Sequence, residues 1–259
     1  MLDPMIRALS LCTLLAVVAN CRALPGGDET TLRYCLAPQA VPPYVDPVGF
    51  KGLTERLAAE AGQRVGFRIE FVVMPRARCR ALLGQGAVDV MAVAPAPENL
   101  AVAEFPQRDG HIDMSRALVV MNLAMVRRRG DPFRWDGRRF VGAQPSVIGV
   151  RRGAPVVRQA LQVVAIPIDE AANDSQHTLA KLERGRVDVV IGIKAELELV
   201  LAESGSARLE LVEPTPPQQI IGFAAVSRSF YGRHRERVEA WWREIGALRG
   251  RPEYAVKAR

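Results

Sequence analysis

The side chains able to do chemistry at neutral pH are few and scattered along this chain of 259 residues. His111, His177 and His234 stand alone, without the H-x-x-x-H or C-x-x-C spacing that places two metal ligands on one face. No G-x-S-x-G turn exposes a nucleophilic serine, and no G-x-G-x-x-G or Walker sequence cradles a phosphate. No metal site, no cofactor and no enzymatic reaction are therefore expected. Two polar groups do stand near predicted helix starts, Ser146 and the pair Ser175-Gln176. Unpaired N–H groups and the helix dipole attract anions there, although a serine at such a place also caps the helix.

Charge narrows the partners. The chain carries 35 Lys and Arg against 28 Asp and Glu, a net +7, but its arginine runs (Arg127-Arg128-Arg129, Arg138-Arg139, Arg151-Arg152) lack interleaved aromatics. That pattern reads as solvated surface, with no nucleic-acid partner. With 49% apolar and 24% charged residues the composition is that of a globular protein, long enough for two lobes.

The N-terminus differs from the rest. Arg7 precedes a nearly charge-free run from Ala8 to Ala19, and Cys21-Arg22-Ala23-Leu24-Pro25-Gly26-Gly27 comes next, which is the anatomy of a signal peptide. The run is short of the roughly 20 apolar residues a membrane span needs. Cleavage after Ala19 or Ala23 is expected. Lipid attachment at Cys21 would need a small residue in place of Asn20, so soluble export to the periplasm ranks above a lipoprotein. Once residues 1–23 leave, Cys35 and Cys79 remain in an oxidising compartment, where two cysteines are a candidate disulfide.

These groups need a scaffold, and the pattern supplies one. Leu32 to Pro38 reads as a strand; Pro42-Pro43-Tyr44 as a turn; Leu53, Leu57, Ala58 and Ala61 as one face of a helix stopped by Gly62. Phe67 to Met74 is strand-like. Pro75 opens a helix with Cys79, Leu82 and Leu83 on one face, ended by Gly84-Gln85-Gly86, and Val88 to Ala94 is a buried strand. This β-α-β-α-β order favours a parallel-rich sheet with helices on both faces. Leu83 to Val90 then recurs ninety-nine positions later as Leu182 to Val189, in the pattern L-x-x-G-x-V-D-V, so two similar lobes are expected. In the second, Phe140 to Gln144 reads as a strand, Val156 to Val164 as a helix, Ala165 to Ile168 as a strand, and Asn173-Asp174-Ser175 as the start of the next helix. A last helix from about Arg233 to Leu248 carries Val238, Trp241, Trp242 and Ile245 on one side.

Taken together, Pro42-Pro43-Tyr44, Gly52 opening a helix, the two G-x-V-D strands, Pro97-Glu98 with Phe105-Pro106, and Val141-Gly142-Ala143-Gln144 resemble solute-binding protein family 3, the type II periplasmic binding proteins. Pro75-Arg76-Ala77-Arg78-Cys79, Asp109-Gly110-His111-Ile112-Asp113 and Trp135-Asp136-Gly137-Arg138-Arg139-Phe140 are similar to one branch of that family with no settled ligand. The resemblance implies a two-lobed α/β fold with crossovers near Val120–Met125 and Gln218–Gly222. Residues 1–23 would be the signal peptide, 24–123 with 222–259 one lobe, and 124–221 the other.

It also implies a site. Amino-acid-binding members clamp the carboxylate with an Arg and the ammonium with an Asp; here Asn99 and Ile193 stand at those positions, which points to a small solute other than an α-amino acid. Arg76 or Arg78 could replace the missing cation. Tyr44 stands where the family stacks an aromatic on the ligand, and Ala94, Pro95 and Asn99 would line one wall, with Ser146, Ser175 and Gln176 on the other. In the family's strand order the helix from Arg76 to Leu83 crosses over the first strand, which would bring Cys79 to Cys35. The partners implied are a small-molecule solute and a membrane permease or sensor, and the chain is expected as a monomer. Two alternatives stay open: a periplasmic enzyme of the cyclohexadienyl dehydratase type, and an interaction protein that binds no solute.

Overall fold

The computed structural model describes residues 30–215 and 217–256. The expected signal peptide lies outside them. The first lobe begins with β1 (Thr30–Leu36), α1 (Leu53–Arg64), β2 (Phe67–Val73), α2 (Arg76–Gln85) and β3 (Val90–Val93). Short pieces come next: α3 (Pro97–Leu100), β4 (Ala103–Glu104) and the hairpin of β5 (Gln107–Arg108) and β6 (His111–Ile112). The chain then leaves along β7 (Val119–Arg128). The second lobe holds β8 (Ile148–Gly149), α4 (Pro155–Ala160), β9 (Ile168–Asp169), α5 (Ser175–Glu183), β10 (Val189–Ile193), α6 (Lys194–Ser204) and β11 (Leu209–Val212), and β12 (Gln219–Ser227) returns the chain to α7 (Arg228–Arg249). No helix among the described residues is long and apolar enough to cross a membrane.

In the first lobe the strand order is β2-β1-β3-β12, with β1 parallel to both neighbours and β12 antiparallel to β3. The second repeats the plan as β9-β8-β10-β7: β8 is parallel to its neighbours and β7 antiparallel to β10. The two sheets are not separate. Gln219–Gly222 of β12 pair with Val119–Asn122 of β7, so one ladder runs through the junction and each long strand feeds the opposite lobe.

Helices cover both faces of the first sheet. On one side α1 and α7 bury Leu57, Ala58, Ala61, Trp241 and Trp242 against Leu32 and Tyr34. Each indole N–H finds a carbonyl, Trp241 Nε1 at Ala58 O (3.1 Å) and Trp242 Nε1 at Ala224 O (2.8 Å), which buried indoles require. On the other, α2 buries Cys79 and Leu83 against Cys35, Met91 and Phe223. Here Cys35 and Cys79 form a disulfide, with Cα atoms 5.7 Å apart. The expected crossing of α2 over β1 is what brings them together.

Some expectations need correction. Gly62 does not stop α1, which runs on to Arg64. It sits where a Cβ would lie 3.1 Å from Ile69 and from Phe67 O, so it serves the close approach of α1 to β2. Residues 140–144 form no strand beyond a bridge between Trp135 and Phe140. Val141 to Gln144 are exposed and Gly142 is in the left-handed region (φ +80°), whereas Ile148, Gly149 and Val150 are buried and take the strand's place.

Candidate functional site

The internal repeat explains how each lobe builds its wall. Asp89 and Asp188, the aspartates of the two V-D-V strands, accept backbone N–H groups from the neighbouring segment, one or two residues before the paired positions of β1 and β8. Asp89 Oδ2 accepts from Arg33 N (2.8 Å), and Asp188 Oδ2 from Ser146 N (2.6 Å) and Val147 N (3.1 Å). Tyr34 then pairs with Val90 and Ile148 with Val189, setting the two lobes in the same register. The chain leaving β1, Leu36 to Gln39, and the chain leaving β8, Arg151 to Ala154, therefore reach the junction from equivalent sides.

Between them lies a cavity of about 500 Å3, within the range of roughly 300–1,000 Å3 usual for small-ligand sites. Its floor is the crossover itself, through Val119 and Met121 of β7 and Ile220 to Gly222 of β12. Ala94 and Ile193, ninety-nine positions apart like the motifs before them, face it at the ends of β3 and β10. The lobes touch at its mouth, where a Cβ on Gly153 would lie 3.3 Å from Cγ of Gln39.

Tyr44 lines the cavity and is buried. The antiparallel bridge between Val41 and Val45 turns the chain around it, and Thr54 fixes its carbonyl through both N–H (3.0 Å) and Oγ (2.9 Å). Although Tyr44 precedes α1, its side chain packs in the apolar cluster of the second lobe, with Leu123, Trp135 and Ile193. Burial, then the nearby Glu198, raises the phenol's pKa, so the hydroxyl stays neutral.

Arg76 is the first residue of α2 and lines the cavity. Burial and then Arg80 lower its pKa from the guanidinium's ordinary value, with Glu98 offsetting part of the fall. Arg78 is exposed and away from the lining. From the second lobe comes Arg151, half-buried, its Nε 3.1 Å from Glu196 Oε1, which also accepts from Ser175 Oγ at 2.7 Å.

Of the residues singled out in the sequence, Tyr44, Arg76 and Ala94 line the cavity; Pro95, Asn99, Ser146, Ser175 and Gln176 do not. Asn99 is buried and turns its amide to Ala94 O (2.9 Å), holding the loop rather than facing the cavity. Ser146 begins no helix, since β8 comes after it, and its N–H is taken by Asp188. Asp174 caps α5 by accepting from His177 N, leaving the Ser175 hydroxyl to Glu196 behind Arg151; Gln176 is exposed. Arg151, Gly153 and Ala154 were hidden by the misplaced strand. Aligning the lobes on Asp89 and Asp188 would have found them, because the residues leaving each paired strand face the junction.

No protein-family model matches the chain, and no curated protein sequence does. Solved structures do match in fold. The chain is similar to a histidine kinase sensor domain with similarity to periplasmic binding proteins (16% identity, 87% of this chain and 93% of that one, TM-score 0.59). It is also similar to a His/Glu/Gln/Arg/opine family-binding protein from Silicibacter pomeroyi solved with lysine (20% identity, 84% and 90%, TM-score 0.57). A third match is an ancestral amino-acid-binding protein, a precursor of cyclohexadienyl dehydratase (15% identity, 84% and 89%, TM-score 0.57). The chain thus has the two-lobed α/β fold of the type II periplasmic binding proteins.

Proposed function

We propose that this protein is a periplasmic solute-binding protein. It captures a small solute, other than an ordinary α-amino acid, between its lobes and presents it to a membrane permease or sensor. Residues 24–123 with 222–259 act as one lobe and 124–221 as the other, and the mature chain works as a monomer after residues 1–23 are removed. One observation carries this reading: a single cavity takes its walls from both lobes and its floor from the two strands that join them. A solute held there touches both lobes, has its highest affinity for the closed form and shifts the population toward it.

Exclusion of α-amino acids rests on the lining. Ile193 faces the cavity and Asn99 is turned away, and among the described residues no Asp or Glu lines the cavity to hold an ammonium. Leaving one buried charge unpaired costs several kcal/mol, about 2–5 or more. The same lining supports binding over dehydration, which needs a proton donor at the leaving hydroxyl; the neutral Tyr44 is the one titratable group there besides the two arginines and the bridged Cys35.

Thermal unfolding against a library of small solutes tests this. At least one solute should raise the midpoint with rising concentration, as RT ln(1 + [L]/Kd) requires, and no common L-amino acid should bind at micromolar concentration. Micromolar calorimetric binding of an ordinary amino acid would overturn the exclusion; silence from the whole library would favour a protein that binds no solute.

A further inference from the structure

Taking the solute-binding reading as its premise, we infer that the solute is a monoanion with an apolar body, its single carboxylate held by Arg76. The charge inventory of the cavity points there. Arg76 and Arg151 are the only charged side chains among the described residues that line it, one from each lobe. They are not equivalent. Arg151 has Glu196 at 3.1 Å, and Ser175 holds that carboxylate in place. Arg76 has no hydrogen bond or ion pair among the described residues; Glu98, whose carboxylate lies 3.6 Å from Arg80, acts on it only through its field. One positive charge in the lining is therefore left without a directly bound counterion.

That charge stands over an apolar floor. Met91, Val93, Val119, Met121, Ile220 and Ile221 offer the cavity no hydrogen-bonding side chain. A cation withdrawn from water without a counterion is costly, and an anion entering beside it removes that cost. The guanidinium fork matches a carboxylate through two parallel hydrogen bonds. A second acidic group on the solute would find Arg151 already neutralised by Glu196. An ammonium would find no acid in the lining. The remaining surface of the solute should be mostly hydrocarbon, because apart from Gln39 at the mouth and Thr54, whose hydroxyl is held by Tyr44 O, hydrocarbon is what it meets, with the Tyr44 ring as an amphipathic wall.

The test uses matched pairs of probes on the mature protein in calorimetry: straight-chain carboxylates from butyrate to octanoate, benzoate, phenylacetate and 3-phenylpropionate, each with its primary amide. Phenylalanine serves as the zwitterion and phenylsuccinate as the dianion. At least one carboxylate should bind ten-fold or more tightly than its amide, and more tightly than phenylalanine or phenylsuccinate. In Arg76→Gln the acid should fall to the level of the amide, while the free variant melts no lower than the parent. Three results would overturn the inference: acids and amides binding alike, Arg76→Gln keeping the preference, or no monocarboxylate binding. If the solute library yields a ligand of another class while every carboxylate fails, this inference falls and the solute-binding reading stands. If both are silent, both fall.

Discussion

Thr54 has one hydroxyl hydrogen and two oxygens within reach, Tyr44 O and Glu55 Oε1, each at 2.9 Å. Thr54 Oγ donates toward both, and Asp46 N–H donates to the other carboxyl oxygen of Glu55 at 3.2 Å. Burial raises the pKa of Glu55, which is fully buried, above the ordinary glutamate value, against the hydrogen bonds from Asp46 N and Thr54 Oγ that pull it back. A carboxyl whose folded pKa is raised stabilises fully below its unfolded value, about 4.3, and that stability is lost as pH rises through the folded value. Glu55→Gln should therefore raise the melting midpoint more at pH 8 than at pH 4; an equal change at both would contradict the assignment. Tyr44→Ala should weaken the true solute by about 1–3 kcal/mol, the cost of a lost aromatic contact or buried side chain, and an unchanged affinity in calorimetry would remove Tyr44 from the site. Tyr44 was legible in the sequence because the proline pair before it dictates a turn. Arg151 was not: its run with Arg152 reads as surface, and only the packing behind it, Glu196 and Ser175 from two later helices, distinguishes the half-buried arginine from its exposed neighbour.

Among the elements, α2 carries both Arg76 and Cys79, and the disulfide ties it to β1, whose Cys35 and Leu36 line the cavity. Closing a loop between residues 44 apart should stabilise by about 4 kcal/mol on the chain-entropy view. The paired Cys35→Ala, Cys79→Ala variant should lose a comparable amount in denaturant unfolding, and thiol titration of the denatured, unreduced protein from residue 24 onward should find no free thiol; two per chain would contradict the bridge. Gly52, at the start of α1, has no room for a side chain, since a Cβ would fall 2.5 Å from Tyr44 O and 2.7 Å from Asp46 N. Gly52→Ala should cost about 1–3 kcal/mol, as overpacking does, and an unchanged midpoint would show that the α1 entry can shift. Helices with periodic apolar faces and glycine ends could be read from the chain, as α2 and its left-handed Gly86 were. By contrast α6 begins directly at the end of β10 with no capping side chain at Ile193, so nothing local marks its start. The choice between residues 140–144 and Ile148–Gly149 as a strand is made by pairing with β9 and β10, which local pattern does not contain.

For the whole molecule, the repeat of V-D-V strands made two lobes legible, and the two long strands between them set how those lobes move. β7 and β12 pair over only Val119–Asn122 and Gln219–Gly222 before parting into opposite lobes, and the proposed capture requires bending at that short ladder. The cavity floor is the same ladder, so on that proposal a solute on the floor sits at the hinge. Gln39 and Gly153 face each other across the mouth, where a Cβ on Gly153 would lie 3.3 Å from Gln39 Cγ. Spin labels at Ala40→Cys and Arg152→Cys, exposed positions next to that contact on either side, report the separation across it. With the solute that most raises the melting midpoint at saturation, the distance distribution should collapse to one short, narrow population, and without it a longer, broader one should return. Identical distributions with and without saturating solute would contradict capture between two closing lobes.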